Sequence, residues 1–373
     1  MKTAICDMLG IDIPLVAFSH CRDVVAAVTN AGGFGVLGAT TYTPDQLEQE
    51  LAWIDGEVRG RPYGVDIIVP EKSVGKGQRL TSEQFAEMIP AEHRTYIDAI
   101  LKDHGIEPAP RTRPPRVSVS DDAGERLLEV SFAHPIKLIA NALGVPPKSM
   151  LEAGKSAGVP VAALVGAKEH AIKQVQAGVD ILVVEGTEAG GHCGEVTTLV
   201  LVPEVIEAIE PIRPVPVLAA GGIVTGRQMA AAVALGAAGA WTGSVWLTTD
   251  EAETAPYTKA RMLAATSRDT VRSTCRTGKP TRQLRSDWTD AWESADAPDP
   301  LPMPLQSMIS EPALRRIDAL AGRGDEGARA LATYWVGQGV GLMNAVKPAK
   351  QVVYEFAEDY LAAAERLAGS LGD

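Results

Sequence analysis

Gln176-Ala-Gly-Val-Asp-Ile-Leu-Val-Val184 joins the end of a helix-like stretch directly to an unbroken apolar run. Glycine just past a last helical turn takes the left-handed conformation that closes the helix. A run of apolar residues straight after it is what a strand buried on both faces looks like, as in a parallel sheet. The same join recurs at Asn30-Ala-Gly-Gly-Phe-Gly-Val-Leu-Gly38, at Ser156-Ala-Gly-Val-Pro-Val-Ala-Ala-Leu164 and at Ala234-Leu-Gly-Ala-Ala-Gly-Ala-Trp-Thr242. A repeated strand-helix unit means a parallel sheet with helices outside it, hence a doubly wound sheet or a closed barrel.

Counting strands chooses between the two. Strand-like runs fall at Pro14 to Phe18, Gly33 to Gly38, Tyr63 to Val69, Lys137 to Ala142, Val159 to Leu164, Ile181 to Glu185, Val217 to Ala220 and Ala240 to Gly243. Eight strands spread over about 230 residues predict an α/β fold of the (β/α)8 TIM-barrel type. Two stretches break the rhythm. Residues 70 to 130, opening Pro70-Glu-Lys-Ser-Val-Gly-Lys-Gly77 and helical from Ser82 to Lys102, read as an insertion after the third strand, at the end of the barrel where active sites open. The tail carries a Pro/Asp-rich loop, Asp296-Ala-Pro-Asp-Pro-Leu-Pro-Met-Pro304, then helices near Ala313 to Ala321 and from Ala349 to Leu371. The expected organisation is therefore a barrel over 1–250 with its insertion, and a helical extension over 251–373 that packs on the barrel and caps its mouth.

Composition narrows the function classes. At 373 residues and 46% hydrophobic content the chain buries a large core. A net charge of −12 argues against a nucleic-acid partner, since phosphate backbones need a basic surface. The clearest basic cluster, Arg-Thr-Arg-Pro-Pro-Arg at 111–116, reads as a solvated loop. Four cysteines without a CxxC pair fit a reducing compartment and no structural zinc, and the N-terminus lacks the apolar stretch of a signal peptide, so a cytoplasmic location is expected. The uncharged run Gln228 to Thr249 is long enough to raise a membrane question. Its alanines and glycines suit a buried helix and strand better, so no membrane partner is expected.

Chemistry concentrates at strand ends. After the sixth strand comes Gly186-Thr-Glu-Ala-Gly-Gly-His-Cys-Gly194, where a glycine-rich turn lets backbone approach an anion or a flat ring and a histidine exchanges protons near neutral pH. Val217-Leu-Ala-Ala-Gly-Gly-Ile-Val-Thr-Gly226 and Ala240-Trp-Thr-Gly-Ser-Val245 put glycines after the seventh and eighth strands, where barrel enzymes bind phosphate with free amides and a helix dipole. Thr225 is placed to cap the helix that follows. His20 stands at the first strand's end and either lines the mouth or caps the next helix. His93, His104, His134 and His170 have no companion ligand pattern. Neither HExxH, GxSxG nor GxxxxGK[ST] occurs, which removes the main support for metalloprotease, α/β-hydrolase and P-loop readings.

Taken together, Gly186-Thr-Glu-Ala-Gly-Gly-His192, Ala219-Ala-Gly-Gly-Ile-Val-Thr-Gly226 and Trp241-Thr-Gly-Ser244 make the chain resemble the nitronate monooxygenase (2-nitropropane dioxygenase) family, itself similar to the FMN-dependent enoyl-ACP reductases. The resemblance runs from Ala31-Gly-Gly-Phe-Gly-Val-Leu-Gly38 to Trp335-Val-Gly-Gln-Gly-Val340 and includes Thr277-Gly-Lys-Pro-Thr-Arg282. It implies an FMN-binding barrel with His192 as the catalytic residue beside the isoalloxazine. Gly221, Gly222, Gly243 and Ser244 would then hold the phosphate, Gly190 and Gly191 would approach the ring, and Ala17, Phe18, Asp66 and Glu185 would complete the cofactor site. Where Gly64-Val-Asp-Ile-Ile68 has Asp66, the family often has asparagine. A carboxylate there accepts from flavin N3–H, but its charge opposes formation of anionic reduced flavin.

Two activities share these motifs. One oxidises an alkyl nitronate with O2, His192 steadying the anion or taking the α-proton of the neutral nitroalkane. The other is an NAD(P)H-dependent reduction of an enoyl thioester, enone or quinone, with His192 relaying a proton. Either takes a small-molecule substrate with O2 or NAD(P)H as co-substrate, and a homodimer is open. A non-catalytic FMN-binding barrel is a third reading.

Overall fold

The computed structural model describes residues 1–68, 82–108 and 121–370. The expectations for Val69, for the start of the insertion at Pro70 to Gly77 and for the basic cluster at 111–116 lie outside the described residues.

Eight parallel strands close into a barrel: β1 (Leu15–Ser19), β2 (Phe34–Gly38), β3 (Gly64–Ile67), β4 (Leu138–Asn141), β5 (Val161–Val165), β6 (Ile181–Glu185), then, past a two-residue strand β7 (Gly191–His192), β8 (Val217–Ala220) and β9 (Gly239–Thr242). Pairing of Val16 with Trp241 on β9 and with Phe34 on β2 shuts the circle. Each of the eight runs expected from the sequence became a barrel strand. The four joins work as their glycines require: Gly32, Gly158, Gly178 and Gly236 take φ of +98°, +65°, +107° and +100°.

Strand alternation sorts the side chains into two layers. Val16, Phe34, Val36, Leu138, Ile181, Val183, Leu218 and Trp241 fill the interior, joined by Ile5 and Leu9 of the N-terminal helix Ala4–Leu9. That helix sits at the N-terminal end of the strands, where Thr3 Oγ1 donates to Ala238 O.

The uncharged run at 228–249 resolves into helix Gly226–Ala234, strand β9 and a 3-10 turn Ser244–Thr248. Among the described residues no helix is long and apolar enough to cross a membrane. The C-terminal helix Ala349–Gly369 packs on the barrel, Phe356 stacking on Trp246 at 6.4 Å between ring centroids. Gly226 marks the closest approach, because a Cβ there would lie 2.0 Å from the backbone oxygen of Phe356. Backbone cannot yield as a side chain does, so Gly226→Ala is expected to destabilise the protein by about 3 kcal/mol, the upper range for overpacking, read as a lowered thermal midpoint.

The insertion and the tail are one packing unit. Ile97, Ile100 and Leu101 of helix Ala91–Asp103 share a core with Trp288, Trp292, Leu314 and Ile317 from the C-terminal part of the chain. His93 and His104 pin the same contact: one imidazole reaches Asp299 O at 2.9 Å and the other Asp287 Oδ2 at 3.1 Å. Helix Asp121–Ala133, placed within the insertion by the sequence reading, instead lays Leu127 and Leu128 against Leu51 and Ile54 in the barrel's outer layer.

Candidate active site

The loop after β6 does not hang free at the mouth. Its Gly191 and His192 form β7, which pairs antiparallel with β11 (Thr281–Leu284); β11 in turn pairs with β10 (Thr270–Ser273). His192 is thus held opposite Thr281, and its Nε2 lies 3.0 Å from Thr277 Oγ1. The Trp335 ring stands 6.0 Å from the imidazole, and the Arg276 guanidinium lies 4.2 Å over that indole, a cation–π contact. Burial lowers the His192 pKa below the ordinary imidazole value, and the charges of Lys279 and Arg276 lower it further. At neutral pH the ring is a neutral base flanked by two cations. The Trp335 indole N–H is buried with no acceptor among the described residues.

Glu188 braces the same loop. Its carboxylate accepts from Thr198 N and Thr198 Oγ1, each at 2.9 Å, and its backbone oxygen accepts from Gln338 N at 2.8 Å. Gly190 explains itself here too: a Cβ would come within 2.7 Å of Gly337 N. The smallness of Gly190 therefore serves the chain segment that carries Trp335, which abuts it directly.

The paired glycine loops are neighbours, since Ala220 pairs with Trp241 and Gly221-Gly222 and Gly243-Ser244 leave adjacent strands side by side. The N–H groups of Gly221, Gly222 and Gly243 donate to no acceptor among the described residues. A Cβ on Gly243 would meet open space. Ser244 Oγ accepts from Gly337 N at 2.9 Å and keeps its own proton to donate. Thr225 does cap the next helix, in a reciprocal box with Gln228. The helix dipole expected for phosphate is already answered, however: Asp359 Oδ2 accepts from Arg227 N at 2.7 Å, and Asp359 also pairs with the Arg227 side chain. An anion here is met by glycine amides and the serine hydroxyl.

Around the mouth, Phe18, Asp66, Glu185 and Trp241 take the inward positions of β1, β3, β6 and β9, Phe18 stacking on Trp241 at 6.2 Å. Ala17 faces the outer helical layer among Leu15 and Val24, so only its backbone borders the site. Asp66 is 1% exposed and its Oδ1 has no partner among the described residues. Burial first, then the nearby Glu185, raise the Asp66 pKa well above the carboxylate range; burial takes Glu185 up to about 8. Glu185 is half-buried at the mouth end of β6. Both effects oppose ionisation of Asp66, so the negative charge weighed from sequence is disfavoured where this side chain sits.

His20 is bound beside the mouth. Its Nδ1 lies 2.7 Å from Gly38 O and its ring packs edge-on against Phe18. His134 is held between Asp55 and Glu48 on the outer layer. The residues that sequence reasoning did not assign are Thr277, Arg276, Lys279, Trp335 and Glu188. The segments carrying most of them were visible as motifs, but nothing local announces that they meet His192.

A closed parallel barrel with a histidine, two cations and paired glycine loops at its C-terminal mouth is the plan of a (β/α)8 oxidoreductase. The chain belongs to the nitronate monooxygenase family, whose sequence profile matches residues 7–359. It is 52% identical over 376 residues to the Mycobacterium tuberculosis protein named "Putative monooxygenase Rv1533", covering 99% of each chain. It is 28% identical to a "Probable nitronate monooxygenase" of Staphylococcus haemolyticus, over 84% of this chain and 86% of that one. Among solved structures it resembles the nitroalkane oxidase of Streptomyces ansochromogenes, with 27% identity, a TM-score of 0.79 and coverage of 98% and 100%. FabK of Thermotoga maritima is also similar, with 26% identity, a TM-score of 0.73 and 99% of each chain covered. The protein is accordingly an enzyme, a flavin-dependent oxidoreductase acting on small molecules.

Proposed function

We propose that the enzyme binds FMN in the barrel mouth and oxidises anionic alkyl nitronates with O2. The observation that carries this reading is His192, its Nε2 3.0 Å from Thr277 Oγ1 and its protonation opposed by burial and by the charges of Lys279 and Arg276, a setting that favours an oxygen-rich anion although Arg276 also pairs with Glu311 at 2.8 Å. The unpaired Trp335 N–H adds a donor suited to the same anion.

The residues present suit the cofactor. Free amides of Gly221, Gly222 and Gly243 with the Ser244 hydroxyl match a phosphate. The orphaned Asp66 oxygen, with Glu185, Phe18, the Ala17 backbone and Gly191, matches a flat ring rich in polar edges. FMN supplies the transfer of electrons from substrate to O2, chemistry that belongs to the cofactor. The chain's part is to hold the substrate anion against Arg276 and Lys279, and to accept at His192 the α-proton when the neutral nitroalkane is offered. Thr277 fixes the imidazole through Nε2.

Anaerobic mixing of the purified yellow protein with propyl nitronate, NADH and NADPH in turn tests the reading. Bleaching by nitronate and not by either nucleotide is expected. Rapid bleaching by a pyridine nucleotide would overturn it in favour of a reductase, the activity that the likeness to FabK keeps in view.

A further inference from the structure

Asp66 and Glu185 stand out because the mechanism above uses neither of them for proton transfer to substrate. Both leave the mouth ends of their strands pointing inward, on β3 and β6, among the apolar interior side chains Phe18, Ala140, Leu164 and Trp241. No lysine or arginine among the described residues acts on either carboxyl group. Among the described residues, Glu185 acts on Asp66, and the Cys193 thiol, whose own ionisation burial opposes, faces Glu185. Asp66 Oδ1 is enclosed and without a partner among the described residues. An ionised carboxylate in such a place, with an unsatisfied oxygen and no cation, is costly enough that the group keeps its proton instead.

We propose that Asp66 and Glu185 act as a pair of uncharged carboxyl groups on the floor of the flavin site, Asp66 serving as a hydrogen-bond donor to the flavin, and that alkaline pH ionises the pair and weakens the hold on electron-rich reduced flavin. This rests on the FMN reading above and extends it. A protonated acid donates where an anion only accepts, and it adds no charge against a ring that gains electrons. Asparagine at position 66 can donate in the same way, without the proton that alkali removes. The carboxyl pair therefore makes the enzyme's grip on reduced flavin pH-dependent where an amide would not.

Two measurements on the intact chain, with Asp66→Asn and Glu185→Gln, test it. The first uses flavin-free protein and thermal unfolding across pH 5 to 9. Folded-state pKa values raised above the unfolded ones mean that native stability falls as pH climbs from the ordinary carboxylate range to the folded value, then levels. Glu185→Gln should therefore gain on the wild type progressively up to about pH 8, and Asp66→Asn should gain from the ordinary carboxylate range upward. A gap that does not change with pH would overturn the uncharged pair. The second compares reduced with oxidised FMN binding through the flavin midpoint potential. As pH rises from 6.5 to 9 the wild type should come to favour oxidised over reduced flavin more than Asp66→Asn does, by about tenfold for one pKa unit's worth of interaction. An equal difference at both pH values would show that Asp66 does not ionise across that range and refute the proposal. A chain that takes up no FMN would refute the reading beneath it, and the flavin-free unfolding curves would still judge the carboxyl pair separately.

Discussion

Replacing His192 by asparagine is expected to lower turnover with a neutral nitroalkane by about 100-fold while leaving flavin bound, the scale of loss when a positioned acid-base group is removed. Asparagine keeps a polar side chain near Thr277 but cannot take a proton. The wild-type pH profile adds a signature. Burial, Lys279 and Arg276 depress the imidazole pKa below its ordinary value, so the basic form dominates at neutrality. Wild-type turnover should carry an acid limb from this residue, falling below the ordinary pKa of about 6.5. That acid limb should vanish in the asparagine variant. Pre-formed nitronate needs no deprotonation, so its loss should be smaller than that of the nitroalkane. Equal turnover by wild type and variant on both substrates would remove His192 from the mechanism.

Gly222→Leu is expected to yield a folded but colourless protein. Gly222 sits at φ +68°, a region that costs an L-residue about 1 kcal/mol or more, and a Cβ there would stand 3.0 Å from Glu188 Cβ. Glu188 cannot easily retreat, because its carboxylate is tied to Thr198 and its backbone oxygen to Gln338. A branched side chain must then crowd the amides offered to the phosphate. Gly222→Ala should retain part of the flavin, since a shift of a few tenths of an ångström accommodates one methyl group. Circular dichroism separates loss of cofactor from loss of fold, and full FMN retention by the leucine variant would contradict the phosphate assignment.

The barrel was legible because its signals are local. A closing glycine and the apolar run behind it lie within a few residues of each other, and Gly32, Gly158, Gly178 and Gly236 each took the left-handed turn their sequence position predicts. Thr225 likewise announced its helix by the residue three places on. Helix Asp121–Ala133 was less legible: its amphipathic pattern reveals a buried face without saying whether that face meets the insertion or the barrel.

At the site the division is sharper. The sequence by itself determined that a histidine, paired glycine loops and an acidic residue stand at successive strand ends, because strand order in a parallel barrel follows chain order. Only the tertiary structure decided what those residues are chemically. His192 meets Thr277 across 85 residues of chain, and that fold-back brings in the two cations that keep its ring neutral. Asp66 reads as an anion in any sequence, yet its enclosure and the nearby Glu185 carboxyl oppose its ionisation. Protonation depends on the dielectric and charges within several ångströms, and those neighbours are set by packing between distant segments of the chain.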